Sequence, residues 1–324
     1  MTGIDFNAWG SAPPWLVLTA MGLLGLIVGS FLNVVILRWP KMMDRAWWTD
    51  TSDQLANLHS FSATFGSAAP PALTQVQEDL ERRLGDLPRY DLWQPGSHCT
   101  SCGRALRWWH NVPLLSWALL RGRCAYCGAS FSWQYPLVEL GCATVFAALA
   151  WRLGPTATSL LWCAWAATLL AAAVIDARTT LLPDALTLPL LWAGLLCAAF
   201  GWTLAPSTAI AGATVGYLFL WSVHQTFLML TGREGMGRGD FKLLAALGAW
   251  LGWQPLLPLI LWAALAGSLV GLAMKWRGVL KDPMYVPFGP FLAASALAVV
   301  LVGPERSVSL VLGWGAWLHA LAWG

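Results

Sequence analysis

Long apolar runs constrain this chain more than any other feature of its sequence. A helix that crosses a bilayer needs about 20 mostly apolar residues, and candidate runs occupy 14–37, 135–152, 158–175, 182–202, 207–230, 241–252, 255–274 and 288–303. The chain is 57% hydrophobic and only 11% charged, far from the balance of soluble proteins. We therefore expect an all-α integral membrane protein with about eight transmembrane helices, in contact with a lipid bilayer.

Three of the apolar runs need individual comment. The run 241–252 is short enough to be a buried or tilted segment, and the uncharged run 307–323 would make a ninth span. The first run is longer than the core of a signal peptide and has no Lys or Arg before it, so we expect it to remain as an anchor.

The distribution of positive charge predicts which way the chain lies in the membrane. Loops predicted to lie inside carry Arg178, Arg233, Arg238, Lys242, Lys275, Arg277 and Lys281, whereas loops predicted outside carry only Arg152 and Arg306. Because Lys and Arg collect in cytoplasmic loops, the amino terminus is expected outside and residues 38–133 inside. The net charge of +3 says little about nucleic acid, but the lack of a basic tract with interleaved aromatics predicts no nucleic-acid partner.

The polar stretch 38–133 divides the chain into three parts. We expect an amino-terminal anchor at 1–37, a cytoplasmic insert at 38–133 and a multi-helix membrane domain at 134–324. The insert contains "CTSC" and "CAYC", two CxxC pairs separated by residues 103–123. This spacing is typical of a zinc ribbon, in which Cys99, Cys102, Cys124 and Cys127 hold one tetrahedral zinc ion.

Other interpretations of the four cysteines are two disulfides or a redox CxxC pair. Reducing conditions in the cytoplasm argue against structural disulfides, and a redox motif needs no second copy at ribbon spacing. His98 and His110 flank the cluster and could replace a ligand, although four thiolates already complete the shell.

Carboxylates at the ends of the apolar runs are the candidate catalytic groups. Asp176, Asp184, Glu234 and Asp240 lie at or near these ends, where acidic groups are costly and default to functional hypotheses. Asp184 follows a proline at a helix start, which suits a structural first-turn carboxylate.

Asp176 closes one run and Asp240 opens another, and the predicted topology puts both on the cytoplasmic side. Two facing carboxylates share a proton, as in aspartic peptidases, so that one activates water while the other donates a proton. In "GMGRGD", Gly237 and Gly239 lack a Cβ and would let a substrate strand approach. Helix ends suggest unequal roles: Asp240 at an amino end would be the ionised base, and Asp176 at a carboxyl end the acid.

Six ordered blocks resemble the type IV prepilin peptidases, bifunctional leader peptidases and N-methyltransferases of the GxGD aspartic peptidase group. The blocks are "GSFLNVVILRWP" at 29–40, the paired CxxC motifs, "YPLVEL" at 135–140, "IDARTTLLPDALTLPLL" at 175–191, "GMGRGDFKLLAALGAWLGW" at 235–253 and "VPFGPFLA" at 286–293. The resemblance implies that Asp176 and Asp240 are the catalytic aspartates and that the four cysteines bind zinc.

The same resemblance implies the substrates and the location. Members of this family cleave the basic leader of prepilins and type II secretion pseudopilins after a glycine, then methylate the new amino terminus with S-adenosylmethionine. They lie in the bacterial inner membrane, so we expect a periplasmic amino terminus and an active site that faces the cytoplasm. The sequence contains no GxGxxG loop for a methyl donor.

A polytopic transporter, or a membrane redox protein, is the alternative to a peptidase. A transporter usually places its ionisable groups near the midplane and often has repeated halves, neither of which the sequence indicates. A redox relay would need its cysteines on the oxidising side, which the charge distribution does not predict.

Overall fold

The computed structural model describes residues 13–154, 156–278 and 286–323, with side chains as far as Gly313. Within these ranges the chain is helical and forms no named strand. The amino terminus, predicted to lie outside, and Lys281, predicted to lie inside, both fall beyond the described ranges. The helices are α1 Pro14–Ala56, α2 Leu58–Phe65, α3 Pro71–Gly85, α4 Leu115–Leu119, α5 Gln134–Leu153, α6 Ala157–Thr179, α7 Asp184–Ala199, α8 Pro206–Thr231, α9 Arg238–Leu251, α10 Leu256–Trp276, α11 Gly289–Val302 and α12 Pro304–Trp323.

Four helices in the described part of the chain are long and apolar enough to cross a membrane, namely α1, α5, α6 and α10. A fifth candidate is the pair α11 and α12, which bend by 102° at the break between them. The expected all-α membrane architecture is therefore confirmed, whereas a count of eight spans is not. The bend also separates the uncharged run 307–323 from the helix before it.

The chain forms two compact units. One comprises Met1–Leu32 with Gln134–Gly324, and the other comprises Asn33–Trp133. The long helix α1 belongs to both units, because it continues through Pro40 as far as Ala56. The sequence predicted a span ending at residue 37, and the polar residues that follow simply extend the same helix.

In the larger unit, α9 lies at the centre of the packing. All its residues from Leu243 to Leu251 are buried, and its main neighbours are α8 and α7. On the α7 side, the indole nitrogen of Trp250 donates a hydrogen bond to the carbonyl oxygen of Leu190 at 2.8 Å. The short run 241–252 is thus a helix buried inside the protein, one of the two forms that its length suggested.

Glycines bring α8 and α9 into backbone contact. A Cβ placed on Gly212 would lie 2.2 Å from the carbonyl oxygen of Gly248, and one on Gly248 would lie 2.1 Å from that of Gly212. One turn along, a Cβ on Gly216 would lie 2.6 Å from the carbonyl oxygen of Leu244. Small residues of this kind allow membrane helices to pack closely, so these glycines fix the position of α9.

In the smaller unit, two arginines of α1 bind the loop that precedes the first CxxC motif. Arg38 donates hydrogen bonds to the carbonyl oxygens of Asp91 and Pro95, and Arg45 donates one to that of Pro88. Both guanidinium groups also lie over the ring of Tyr90. The loop is further closed by Asp91, whose pKa is lowered by the backbone N–H groups of Gln94 and Trp93 and by Arg89.

The contact between α8 and α9 predicts the effect of Gly248→Ala. The new methyl group would meet the Gly212 backbone, which cannot move aside without separating the helices. We therefore expect the free energy of unfolding to fall by about 1–3 kcal/mol or more. Gly271→Ala in α10 is the matched control, because its Cβ would meet nothing nearer than Val286 at 3.8 Å. Thermal unfolding in detergent measures both, and equal melting temperatures would contradict the packing described.

Candidate active site and metal centre

Asp176 lies in the last turn of α6 and is only 4% exposed. Its Oδ2 atom accepts a hydrogen bond of 3.0 Å from the backbone N–H of Gly289, the first residue of α11. The helix ends at Thr180, which adopts a left-handed conformation and donates its N–H to the carbonyl oxygen of Asp176 at 2.8 Å. The carboxylate is therefore held between the end of one helix and the start of another.

Asp240 is the third residue of α9 and is also 4% exposed. Its Oδ1 atom is buried and has no hydrogen-bond partner among the described residues. The carboxyl groups of Asp176 and Asp240 lie close enough for their charges to interact. The structure thus brings together the two aspartates that the sequence singled out.

Leu182, in the segment between α6 and α7, lies beside the first residues of α9 and of α11. A Cβ on Gly239 would lie 2.7 Å from the Cβ of Leu182, and a Cβ on Gly289 would lie 3.2 Å from its Cδ1. Gly239 therefore has a reason within the chain to lack a side chain. Gly237 is the N-cap of α9 with φ of −71°, a conformation that does not itself require glycine.

Gly289 is the residue of this site that sequence reasoning missed. A Cβ there would lie 2.7 Å from Oδ2 of Asp176, so only glycine lets this backbone reach the carboxylate. The sequence contained one cue, a glycine followed by Pro290 at the start of an apolar run. Nothing local indicated that the run would begin against a residue 113 positions away.

Asp184 and Lys242 form an ion pair next to the two starts of α7 and α9. The ammonium group lies 2.7 and 2.6 Å from the two carboxylate oxygens of Asp184. This contact agrees with the structural role expected for Asp184. The contact also explains the charge of Lys242 in "GMGRGDFKLL", because this side chain joins α9 to α7. Asp240 of the same stretch is buried instead.

Two buried carboxyl groups that act on each other cannot both be charged without a large penalty. The pair therefore tends to hold a single proton, with one member ionised and the other protonated. Such a pair can accept a proton from water and deliver one to a carbonyl oxygen or an amine. This is the chemistry of peptide hydrolysis by aspartates.

The four predicted ligands Cys99, Cys102, Cys124 and Cys127 form one cluster in the smaller unit. Their sulfur atoms all lie within 4.8 Å of one another, and those of Cys99 and Cys127 are 3.8 Å apart. A tetrahedral zinc ion with Zn–S bonds of about 2.3 Å separates its sulfurs by roughly 3.8 Å. The donor set and its spacing fit zinc.

Two equivalent loops build this cluster, and each follows from its CxxCG sequence. In the first, Cys99 accepts a hydrogen bond from Gly103, and in the second Cys124 accepts one from Gly128, at 2.8 and 3.0 Å. Both glycines have positive φ, 68° and 72°, which a side chain would disfavour. The N–H groups of Cys102 and Ser101 lower the pKa of Cys99 to about 6, whereas burial and the neighbouring sulfurs raise the pKa of Cys127 to about 11 despite the backbone N–H of Ala129.

The two flanking histidines lie outside this cluster of ligands. His98 pairs through Nδ1 with the carbonyl oxygen of Gly96 at 2.8 Å. The ring of His110 packs edge-on against Tyr126 and Trp109. Within the described chain, the cluster is therefore made by the cysteines alone.

A helical membrane protein with two buried, interacting aspartates, one of them in a GxGD sequence, falls in the class of membrane aspartic peptidases. Residues 23–153 match the bacterial peptidase A24 N-terminal domain, and residues 163–272 match the type IV leader peptidase family. The chain belongs to the type IV leader peptidase family.

Curated relatives cover nearly the whole chain. The prepilin leader peptidase/N-methyltransferase of Burkholderia pseudomallei strain 1026b is 44% identical over 296 residues, which are 91% of this chain and 89% of the relative. Proteins with the same name from Pseudomonas putida and Dickeya chrysanthemi are 42% and 44% identical, over 90% and 92% of this chain and 93% and 97% of their own. No solved structure matches the chain.

The cysteine cluster predicts one zinc ion per chain. Cys99→Ser combined with Cys124→Ser removes one thiolate from each loop, so we expect the zinc content to fall to background, because both halves of the shell are broken. Cys197→Ser is the control, since this buried cysteine lies in α7 outside the cluster. Elemental analysis of protein purified without chelator measures the metal. Undiminished zinc in the double variant, or none in the unchanged protein, would contradict the assignment.

Proposed function

We propose that the chain is a membrane aspartic endopeptidase that cleaves the basic leader of type IV prepilins and type II secretion pseudopilins after glycine. The observation that carries the proposal is the buried, interacting pair Asp176 and Asp240. Membership of the leader peptidase family and the names of the relatives support the choice of substrate.

Cleavage by this pair needs no further catalytic side chain. The ionised aspartate takes a proton from a water molecule, whose oxygen attacks the scissile carbonyl carbon. The protonated aspartate donates its proton to the carbonyl oxygen as charge develops there. Burial strengthens both proton transfers because bulk water, unlike the one reacting molecule, does not compete for the carboxyl groups.

The arrangement in the membrane is part of the proposal. An anchor at 1–37, a zinc-binding insert at 38–133 and a membrane domain at 134–324 would lie in the bacterial inner membrane, with about eight helices crossing or entering the bilayer. The amino terminus would be periplasmic, and Asp176 and Asp240 would face the cytoplasm. The positive charges of the loops support this orientation, and a basic leader that remains in the cytoplasm requires it.

Methylation of the new amino terminus, with S-adenosylmethionine as donor, is the second activity that we propose. The names of the relatives support it. A cavity of about 370 Å³ lined by Trp48, Gln75 and Asp79 has a mainly apolar lining, and its Asp79 is paired with Arg83 at 2.8 Å, so nothing in it identifies a site for the donor. We assign no donor-binding residues.

Loss of cleavage in Asp176→Asn and Asp240→Asn is the direct test of the proposal. Each amide keeps the shape of the carboxyl group but can neither accept nor supply the transferred proton, so we expect cleavage to fall at least about 100-fold. Asp184→Asn is the matched control, because it changes the same group in an ion pair outside the dyad. The assay is prepilin cleavage by purified protein in detergent, with thermal unfolding of each variant as a check of folding. Cleavage that survives in either dyad variant would contradict the proposal.

Orientation has its own test. Single cysteines introduced beside Arg178 or Lys242 should react with a membrane-impermeant thiol reagent only after cells are opened, because both ends would face the cytoplasm. A cysteine beside Arg152, on the opposite side in this arrangement, should react in intact cells. Labelling is compared with that of the unchanged chain. Reaction beside Arg178 or Lys242 in intact cells would reverse the proposed topology.

A further inference from the structure

The two aspartates have different hydrogen-bond environments, although both are buried to the same extent. Oδ2 of Asp176 accepts the N–H of Gly289 at 3.0 Å, whereas Oδ1 of Asp240 receives no hydrogen bond from the described residues. An N–H group donates to an ionised carboxylate more strongly than to a neutral carboxyl group. The contact therefore stabilises the charge on Asp176.

The donor belongs to the amino end of a helix. Gly289 is the first residue of α11, and the first N–H groups of a helix have no partner within it. Together with the helix dipole, they form a positive end that favours a negative charge. Asp176 thus faces the amino end of α11, whose positive end opposes the effect of the carboxyl end of its own helix.

Asp240 does not benefit in the same way from its own helix. It is the third residue of α9, a position where a carboxylate can accept backbone N–H groups, yet no described residue donates a hydrogen bond to its buried Oδ1 atom. A buried carboxyl group without a donor favours its neutral form. From these contacts we propose that Asp176 is the general base and Asp240 the general acid, and that Gly289 is the positioning residue that sets this order.

This order reverses the expectation from helix ends along the sequence, and it rests on the peptidase function proposed above. Cleavage then takes two steps, and every proton that one aspartate gives up is accounted for. First, water bonds to the carbonyl carbon, Asp176 takes the water proton, and Asp240 gives its proton to the carbonyl oxygen. Then the C–N bond breaks, Asp176 gives its proton to the leaving nitrogen, and Asp240 recovers one from the gem-diol. The resting dyad is restored.

The position of the proton is the first test, and infrared spectroscopy at neutral pH measures it through the band of a protonated, buried carboxyl group. We expect this band in the unchanged protein and in Asp176→Asn, where Asp240 remains without a donor. It should disappear in Asp240→Asn, because the remaining Asp176 has the Gly289 N–H and no neighbouring charge. Any other pattern in the two variants overturns the assignment.

Gly289→Ala tests the positioning role with both aspartates in place. The new Cβ would press on the end of a flexible side chain rather than on backbone, so the fold should persist while Oδ2 of Asp176 is pushed from the N–H. We expect kcat for prepilin cleavage to fall about 10- to 100-fold with KM little changed, since a hydrogen bond to a charged group is lost. Gly141→Ala in α5, where a Cβ would meet nothing within 4 Å, should leave kcat unchanged.

An unchanged kcat in Gly289→Ala, or a rise in KM alone, overturns the positioning role. The proposed function and the assignment of base and acid can be contradicted separately. If the unchanged protein does not cleave prepilin, the proposed function fails. If it cleaves prepilin but the proton lies on Asp176, only the assignment of base and acid fails.

Discussion

Asp176 and Asp240 are two carboxyl groups buried in the larger unit, and each is only 4% exposed. Carboxylates inside a membrane protein are stable only when other groups compensate for lost water. Here one compensating contact is the backbone N–H of Gly289 at Asp176, and in the proposed mechanism a proton held by the pair supplies the other. The chain must therefore bring three helix ends, those of α6, α9 and α11, to one place.

Glycines make this convergence possible. Gly239 leaves room for Leu182, and Gly289 leaves room for the Asp176 carboxylate. Further along, the backbone contact of Gly212 with Gly248 sets how closely α9 lies against α8. Because α9 carries Asp240 at its start, packing one to three turns away helps to place the Asp240 carboxyl group.

The features that could be predicted from the sequence are local ones. Apolar runs located the helices of the membrane unit, and two CxxCG segments predicted the sulfur cluster, because each loop closes within six residues through a glycine of positive φ. The candidates Asp176 and Asp240 also followed from acidic residues at run ends. The structure places both in one buried, interacting pair.

Long-range contacts account for what the sequence could not predict. The burial of α9 depends on α7 and α8, and the partner of Asp176 lies on a helix that begins 113 residues later. The choice of base and acid depends on such a contact. The helix end on which each aspartate lies favours Asp240 as the base, but in the packed structure the amino end of α11 lies against Asp176.

The most direct test of the central claim is the mass of the product formed from a prepilin. Purified protein is incubated with an intact prepilin and isotopically labelled S-adenosylmethionine, and the released amino terminus is read by mass spectrometry. We expect a chain that begins immediately after the leader glycine and carries one labelled methyl group. A prepilin that remains intact, in the presence of folded and zinc-loaded protein, would show that the proposed peptidase function is wrong.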